Sequence, residues 1–206
     1  MFAVGQLSRY VDHPTEKHVG AAKRVLRYVL GTSSKGITYK KSDMCDIGVH
    51  LDGYSDSDWG NDRDTRKSTT GFVFTAGGGV ISWASRRQTV VAQSTAEAEY
   101  IAACEAVMEG RAMMNILNEL LPEVKSKLAH GVDNQSSFVM ATSPTFSRRT
   151  RHIELKWPFV REQVEKKNLY LWKVRSKDNP ADLSTKPLAK AWFESLSSLI
   201  GMRVVE

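Results

Sequence analysis

The sequence predicts a mixed α/β domain, one sheet with helices packed on its faces. Three observations lead there. Runs that alternate apolar and polar residues are interleaved with longer helical patterns, in the order β-β-β-α-β-α-α-β-α. A glycine triplet, Gly77 to Gly79, joins two of the strand-like runs as a hairpin turn. The 206 residues are 41% hydrophobic and 25% charged, the make-up of an ordinary soluble globule with room for one buried core.

The elements follow in chain order. Pro14 breaks the chain ahead of a helical stretch that places Val19, Ala22, Val25, Leu26 and Val29 on one face, with Gly31 as its C-terminal cap. Its outer side carries Lys23, Arg24 and Arg27, either as a solvated face or as a surface for nucleic acid or a partner. IGVHLDGYSD, GFVFTAGG and GVISWASRR then read as three consecutive antiparallel strands, the last ending at Arg86 and Arg87. TAEAEYIAACEAVMEGRAMMNILNELL is rich in Ala, Glu, Met and Leu and reads as a long helix, capped by Ser94 or Thr95 and closed by Pro122. KLAHGVDNQ is a short strand and SSFVMATSP a short helix. A basic stretch leads into a further helix with Pro158 near its start. NLYLWKVRS is the fifth strand, and the chain is helical again beyond Pro187. No internal repeat or low-complexity tract is present.

Composition narrows the function classes. No apolar run approaches the ~18 residues of a membrane span, and the N-terminus is too polar for a signal peptide. Cys45 and Cys104 have no metal-site spacing and read as reduced core residues of an intracellular protein, with a single disulfide left open. The net charge of +6 is compatible with a polyanionic partner.

Four acids stand out because each occupies a different structural setting. Asp56 ends a strand in GYSDSDW, and Asp52 and Asp58 share its side under strand alternation. Glu99 opens the long helix on its buried side, while Glu97, Glu105 and Glu109 read as solvent-facing. Asp133 ends the fourth strand, where it could equally cap the SSFVM helix. Asp182 follows the Lys-Asp-Asn-Pro turn, where it too could be a cap. Taken singly, Asp56, Asp133 and Asp182 have ordinary structural roles. Taken together, four crowded carboxylates repel one another unless a cation neutralises them, and oxygen-only donors suit Mg²⁺ or Mn²⁺.

The segments LSRYVDHPTEKHVGAAKRVLRYVLGT, GYSDSDWGNDRDTRKSTTGFVF, ISWASRRQTVVAQSTAEAEYIAACEA, DNQSSFVMATSP, RTRHIEL and NPADLSTKPL carry a further observation. Together they resemble the ribonuclease H region of copia-type LTR retrotransposon polyproteins. The resemblance implies a ribonuclease H-like fold with a five-stranded mixed sheet of order 3-2-1-4-5, the first three strands antiparallel, and helices on both faces. It implies that residues 1–40 are a reverse-transcriptase tail, residues 41–190 the ribonuclease H domain and residues 191–206 a C-terminal helix or tail. It places the catalytic, metal-binding Asp-Glu-Asp-Asp set on Asp56, Glu99, Asp133 and Asp182, holding two Mg²⁺ ions for which Mn²⁺ can substitute. Asp56 would bridge both ions, with Glu99 and Asp133 on one side and Asp182 on the other.

The implied activity is hydrolysis of the RNA strand of an RNA/DNA hybrid during reverse transcription. The implied setting is cytoplasmic, in virus-like particles, or nuclear, with no membrane and with a reverse transcriptase or polyprotein partner; the oligomeric state is open. Ser57, Ser94, Thr95, Asn134, Gln135, Arg148, Arg149 and Arg151 are the candidate hybrid-facing residues, with His152 in the same basic run. Trp59 and Trp83 read as core rather than stacking platforms. One departure is that cellular ribonucleases H carry a mobile histidine shortly before the last aspartate. VRSKDNPAD has none, so Lys177 or Asp178 takes that role or turnover is slower. Two other readings stand beside this one: a non-catalytic binding module on the same fold, and an integrase-like enzyme, against which the acidic spacing argues. A severed interface at residues 1–40 would leave Val25, Leu26 and Val29 exposed and favour dimerisation.

Overall fold

A computed structural model of the chain describes residues 1–40, 48–143 and 158–205. A short helix α1 (Phe2–Leu7) and helix α2 (Glu16–Gly31) lead to strand β1 (Lys35–Ile37). Strands β2 (Gly48–Asp58), β3 (Thr69–Ala76) and β4 (Gly79–Arg87) precede the long helix α3 (Thr95–Leu120). Then come β5 (Lys125–Val132), α4 (Gln135–Thr142), α5 (Phe159–Glu165) and β6 (Tyr170–Lys173). Two 3₁₀ turns, Ser176–Asp178 and Pro180–Ser184, lead to α6 (Lys190–Leu199) and β7 (Met202–Val204).

Five strands form one sheet in the order β4-β3-β2-β5-β6. The β4-β3-β2 part is antiparallel, and β5 and β6 join it parallel to β2. This is the ribonuclease H-like arrangement expected from the sequence, with β2 at the centre. The hairpin between β3 and β4 turns on Gly77 and Gly78, both at positive φ (57° and 75°), the backbone that a two-residue turn requires and that glycine adopts without a Cβ penalty. β1, α1 and β7 were not legible in the sequence. β1 and β7 pair with each other, antiparallel, from Lys35↔Val204 to Ile37↔Met202, in a sheet of their own among the described residues.

The sheet buries both faces. On one, Leu51, Phe72, Phe74 and Leu128 pack with Ala103 and Val107 of α3 and with Val160 of α5. On the other, Val73 and Val80 pack with Ile200, supported by Ile37, Leu183 and Met202. Helices α3 and α5 cover the first face, while the Pro180–Ser184 turn, the residue after α6 and the β1–β7 pair cover the β3–β4 part of the second. Burial pushes the free thiol of Cys104 up to about 12, as suits a core residue rather than a nucleophile. Cys45 lies outside the described residues.

Several expectations are corrected. Helix α2 runs through Gly31, and Thr32 takes the cap position. Its hydroxyl donates to the Tyr28 carbonyl at 2.7 Å. Trp59 and Trp83 are not core: they are 54% and 48% exposed. Trp59 is held at the surface by its indole N–H, which donates to Ala92 O at 3.1 Å. Glu97 is buried, not solvent-facing, because its carboxylate accepts from the Gln93 N–H at 2.7 Å at the start of α3. Glu105 and Glu109 are half-buried. They tie α3 to β4 through Arg86 (2.9 Å) and Ser82 (3.1 Å). Helix α2 buries none of its residues, and Leu26 and Val29 are 63% and 58% exposed.

Gly71 of β3, paired with Asp56 of β2, sets a tight requirement beside the acids. A Cβ there would lie 2.6 Å from Thr185 Cγ2, 2.9 Å from Ser184 Cβ and 3.1 Å from Ala181 O. The 3₁₀ turn carrying Asp182 thus lies directly on the strand. Gly71→Ala should cost about 1–3 kcal/mol by overpacking, read as a lowered urea midpoint. An unchanged midpoint would show that the turn is not seated on Gly71.

Candidate active site

The acids converge through four separately anchored elements. Asp56 sits near the end of β2 and is 1% exposed. Glu99 lies in the first turns of α3, whose start is fixed from two sides. Ser94 Oγ caps it by accepting the Glu97 N–H at 3.1 Å. Buried Gln88 donates from Nε2 to Ala98 O at 2.9 Å and to Thr70 Oγ1 at 3.2 Å, tying the helix start to β3. Asp133 follows the last residue of β5, and Lys173 of β6 donates to its backbone carbonyl.

Asp182 sits in the Pro180–Ser184 turn, which Asn179 fastens to the central strand. Asn179 is fully buried; its Nδ2 donates to Ser55 O at 2.9 Å and its Oδ1 accepts the Ala181 N–H at 3.1 Å. The anchor point is the residue before Asp56. Pro180 opens the turn at a position where no N–H is needed.

Neither Asp133 nor Asp182 is a cap. The cap of α4 is Asn134, whose Oδ1 accepts the Ser137 N–H at 3.0 Å. The cap of the Pro180 turn is Asn179. In both places an asparagine accepts from a free N–H group of the turn and spares the nearby aspartate that task.

Carboxylate oxygens of Asp56, Glu99 and Asp133 lie within 4.8 Å of one another. Asp182 is outside that trio but joined to it through Lys186. The Lys186 ammonium donates to Asp56 Oδ1 at 2.8 Å and to Asp182 Oδ1 at 2.6 Å. Thr185 Oγ1 donates to the other oxygen of Asp56. Lys186, Thr185 and Asn179 escaped the sequence reading; the one signal was their place within DNPADLSTKP, beside Asp182.

Burial raises the carboxyl of Asp56, and proximity to Asp133 adds to the rise while Lys186 and Thr185 oppose it. Glu99 is raised well above the usual carboxylate range by burial and by Asp56 and Asp133. Asp182 is raised to about 7 by burial and by the Asp56 charge, against the pull of Lys186. Such crowding of oxygen donors is relieved by a hard cation, so the residues fit a divalent metal.

The other candidates are placed as follows. Ser57 is buried and its hydroxyl has no hydrogen-bond partner among the described residues. Ser94 is half-buried at the α3 cap and Thr95 is exposed beside it. Asn134 is half-buried and Gln135 exposed at the start of α4. Arg148, Arg149, Arg151 and His152 lie outside the described residues. Of the two residues offered in place of the missing histidine, Lys177 is exposed and Asp178 is ion-paired with Arg175 at 2.6 Å.

Comparison with known proteins decides the family. The chain is 38% identical over 200 residues, 97% of its length, to the Retrovirus-related Pol polyprotein from transposon TNT 1-94 of Nicotiana tabacum. It is 35% identical over 201 residues, 98% of its length, to that from transposon RE1 of Arabidopsis thaliana. The chain belongs to the copia-type Pol family. The chain spans only 15% and 13% of the length of these two relatives. No protein-family model matches it. Among solved structures, LC11 ribonuclease H1 in complex with an RNA/DNA hybrid is 15% identical, covering 66% of this chain and 93% of that one, with a TM-score of 0.46.

A pH dependence follows from Asp182. Its carboxyl titrates near 7 in the fold, against an ordinary value of 3.8. Between those values the folded state keeps a proton that the unfolded chain has released, so this group lowers stability as pH rises through the window. In EDTA, the thermal midpoint of wild type relative to Asp182→Asn should fall between about pH 4 and pH 7. Saturating Mg²⁺ or Mn²⁺ should reverse that fall. A wild-type-to-variant difference that is flat in pH would contradict the assignment.

Proposed function

We propose that the protein is a metal-dependent ribonuclease H that cleaves the RNA strand of RNA/DNA hybrids during retrotransposon reverse transcription. The observation that carries this reading is the convergence of the Asp56, Glu99 and Asp133 carboxylates within 4.8 Å, with buried Asp182 joined to Asp56. Membership of the copia-type Pol family supports it.

In this reading Asp56 would serve two cation positions, one shared with Glu99 and Asp133 and the other with Asp182. Two Mg²⁺ ions held there, or Mn²⁺ in their place, would supply a water acidic enough to attack near neutral pH and would neutralise charge at the departing 3′ oxygen. The chain's own part is to hold the carboxylates rigidly and to exclude bulk water from Asp56 and Asp182. Attack at phosphorus breaks the bond to the 3′ oxygen and leaves a 5′ phosphate on the downstream fragment. Ser94 and Thr95 at the start of α3 and Asn134 and Gln135 around the start of α4 would meet backbone and 2′-hydroxyl groups across a wide minor groove. In this reading residues 1–40 are the tail of a preceding reverse transcriptase, lying against the ribonuclease H unit (41–190), with 191–206 as its C-terminal helix and tail. The setting is intracellular, in the cytoplasm or nucleus.

The test is incubation with a hybrid labelled on its RNA strand, in Mg²⁺, Mn²⁺ or EDTA. Cleavage should require metal, and Asp56→Asn, Glu99→Gln or Asp182→Asn should each lower the rate by at least about a hundredfold, the scale on which one electrostatic group of an active site acts. Folded wild-type protein that binds the hybrid without cutting it, under either metal, would move the function to a non-catalytic nucleic-acid-binding module.

A further inference from the structure

The two halves of the acidic site are not equivalent. On the Asp56–Asp182 side, the Lys186 ammonium bridges the carboxylates at 2.8 and 2.6 Å. Both aspartate side chains are 1% exposed, whereas that of Lys186 is 37% exposed. On the other side, neither Glu99 nor Asp133 accepts a hydrogen bond from an ammonium among the described residues, and Asp56 shares only Lys186. An ammonium within hydrogen-bonding distance of two carboxylates fills the space that a shared divalent ion would need. The side chain also has somewhere to go. Lys186 borders a cavity of about 950 Å³ lined by Val73, Trp83, Leu183, Leu188 and Phe193, against which its methylene stem can lie while the charge turns to solvent.

We propose that Lys186 is a positioning residue that acts as the chain's own cation between Asp56 and Asp182, so that one divalent ion binds first on the three-acid side and a second binds only by displacing Lys186. This rests on reading the acids as a metal centre and adds an order to it. Lys186 holds Asp56 and Asp182 together while the site waits for metal, keeping two buried negative charges from being left unpaired. It also makes the second ion weaker than the first, because that ion must compete with two charge-assisted hydrogen bonds.

The experiment is a calorimetric Mn²⁺ titration of wild type, Lys186→Met, Lys186→Arg and Asp182→Asn, with thermal melts of each in EDTA. Wild type should show two affinity classes. In Lys186→Met the weaker class should tighten by about tenfold or more, the value of one hydrogen bond to a charged group. Its EDTA melt should fall by about 3 °C or more, and Mn²⁺ should raise its midpoint further than in wild type. A variant unfolded in EDTA but folded by Mn²⁺ would be the same result in stronger form. Lys186→Arg keeps the charge and should keep both classes, and Asp182→Asn should lose the weaker class alone. One affinity for both ions in wild type, or a Lys186→Met protein with wild-type affinities and EDTA melt, would overturn the proposal. Wild type that binds no Mn²⁺ would instead sink the metal-centre reading. The EDTA melt would then decide alone whether Lys186 holds the two carboxylates, an unchanged midpoint overturning that too.

Discussion

The constraint on which the structure turns is the confinement of like charges. Asp56, Glu99 and Asp182 are all buried, and Asp133 lies within reach of the first two. A carboxylate loses hydration on burial, and a second one nearby makes the loss worse. No packing of apolar groups compensates for that; positive charge, hydrogen bonds such as that from Thr185, or a bound proton do. The fold must therefore be strong enough elsewhere to hold the acids in place without metal. Its two cores and the Lys186 bridge do so.

The architecture follows from that demand. A carboxylate on a flexible loop would retreat to water, so each acid is tied at its backbone. β2 is the central strand, hydrogen-bonded on both sides, and gives Asp56 the stiffest available platform. Gln88 pins the start of α3 to the sheet, so that Glu99 cannot drift along the strand direction. Asn179 bonds the residue beside Asp56, so the last acid takes its position from the first. Gly71 completes the arrangement by being absent as a side chain, since a methyl group there would lift the Asp182 turn off the sheet.

The fold was largely legible because its signals are local. Alternation marked β2, the glycine triplet marked the β3–β4 hairpin, β-rich composition marked β6, and an Ala- and Glu-rich run marked α3. β1 and β7 escaped because each is a three-residue strand whose partner lies more than 160 residues away, and pairing of that kind leaves no periodicity in either segment. The four acids were legible as a set of settings, with their roles supplied by resemblance. Lys186 was not, because a lysine four residues after an aspartate is also what an ordinary exposed helical pair looks like. Only the turn that folds back onto Asp56 gives it a second carboxylate. The errors at Glu97, Trp59 and Trp83 share one cause. Local pattern reports which side of an element a residue occupies but not what covers that side. Glu97 is covered because its own carboxylate folds back onto the chain, whereas the two tryptophans remain about half exposed.

The asparagines explain how a site of this kind can be built from so few residues. At the ends of β5 and β6 the chain turns into a helical segment, and such turns favour a side chain that accepts from the first free N–H groups. Aspartate caps well, and if it served here its oxygens would be spent on the backbone. Placing Asn134 after Asp133 and Asn179 ahead of Asp182 separates the two jobs. The neutral amide satisfies the backbone, and the carboxylate keeps its lone pairs for a cation. The same amide at 179 also has an N–H to donate, which a carboxylate lacks, and that donation is what reaches Ser55. Aspartate at 179 could cap the turn but could not tie it to the strand, and it would add a further negative charge to a site already short of positive ones.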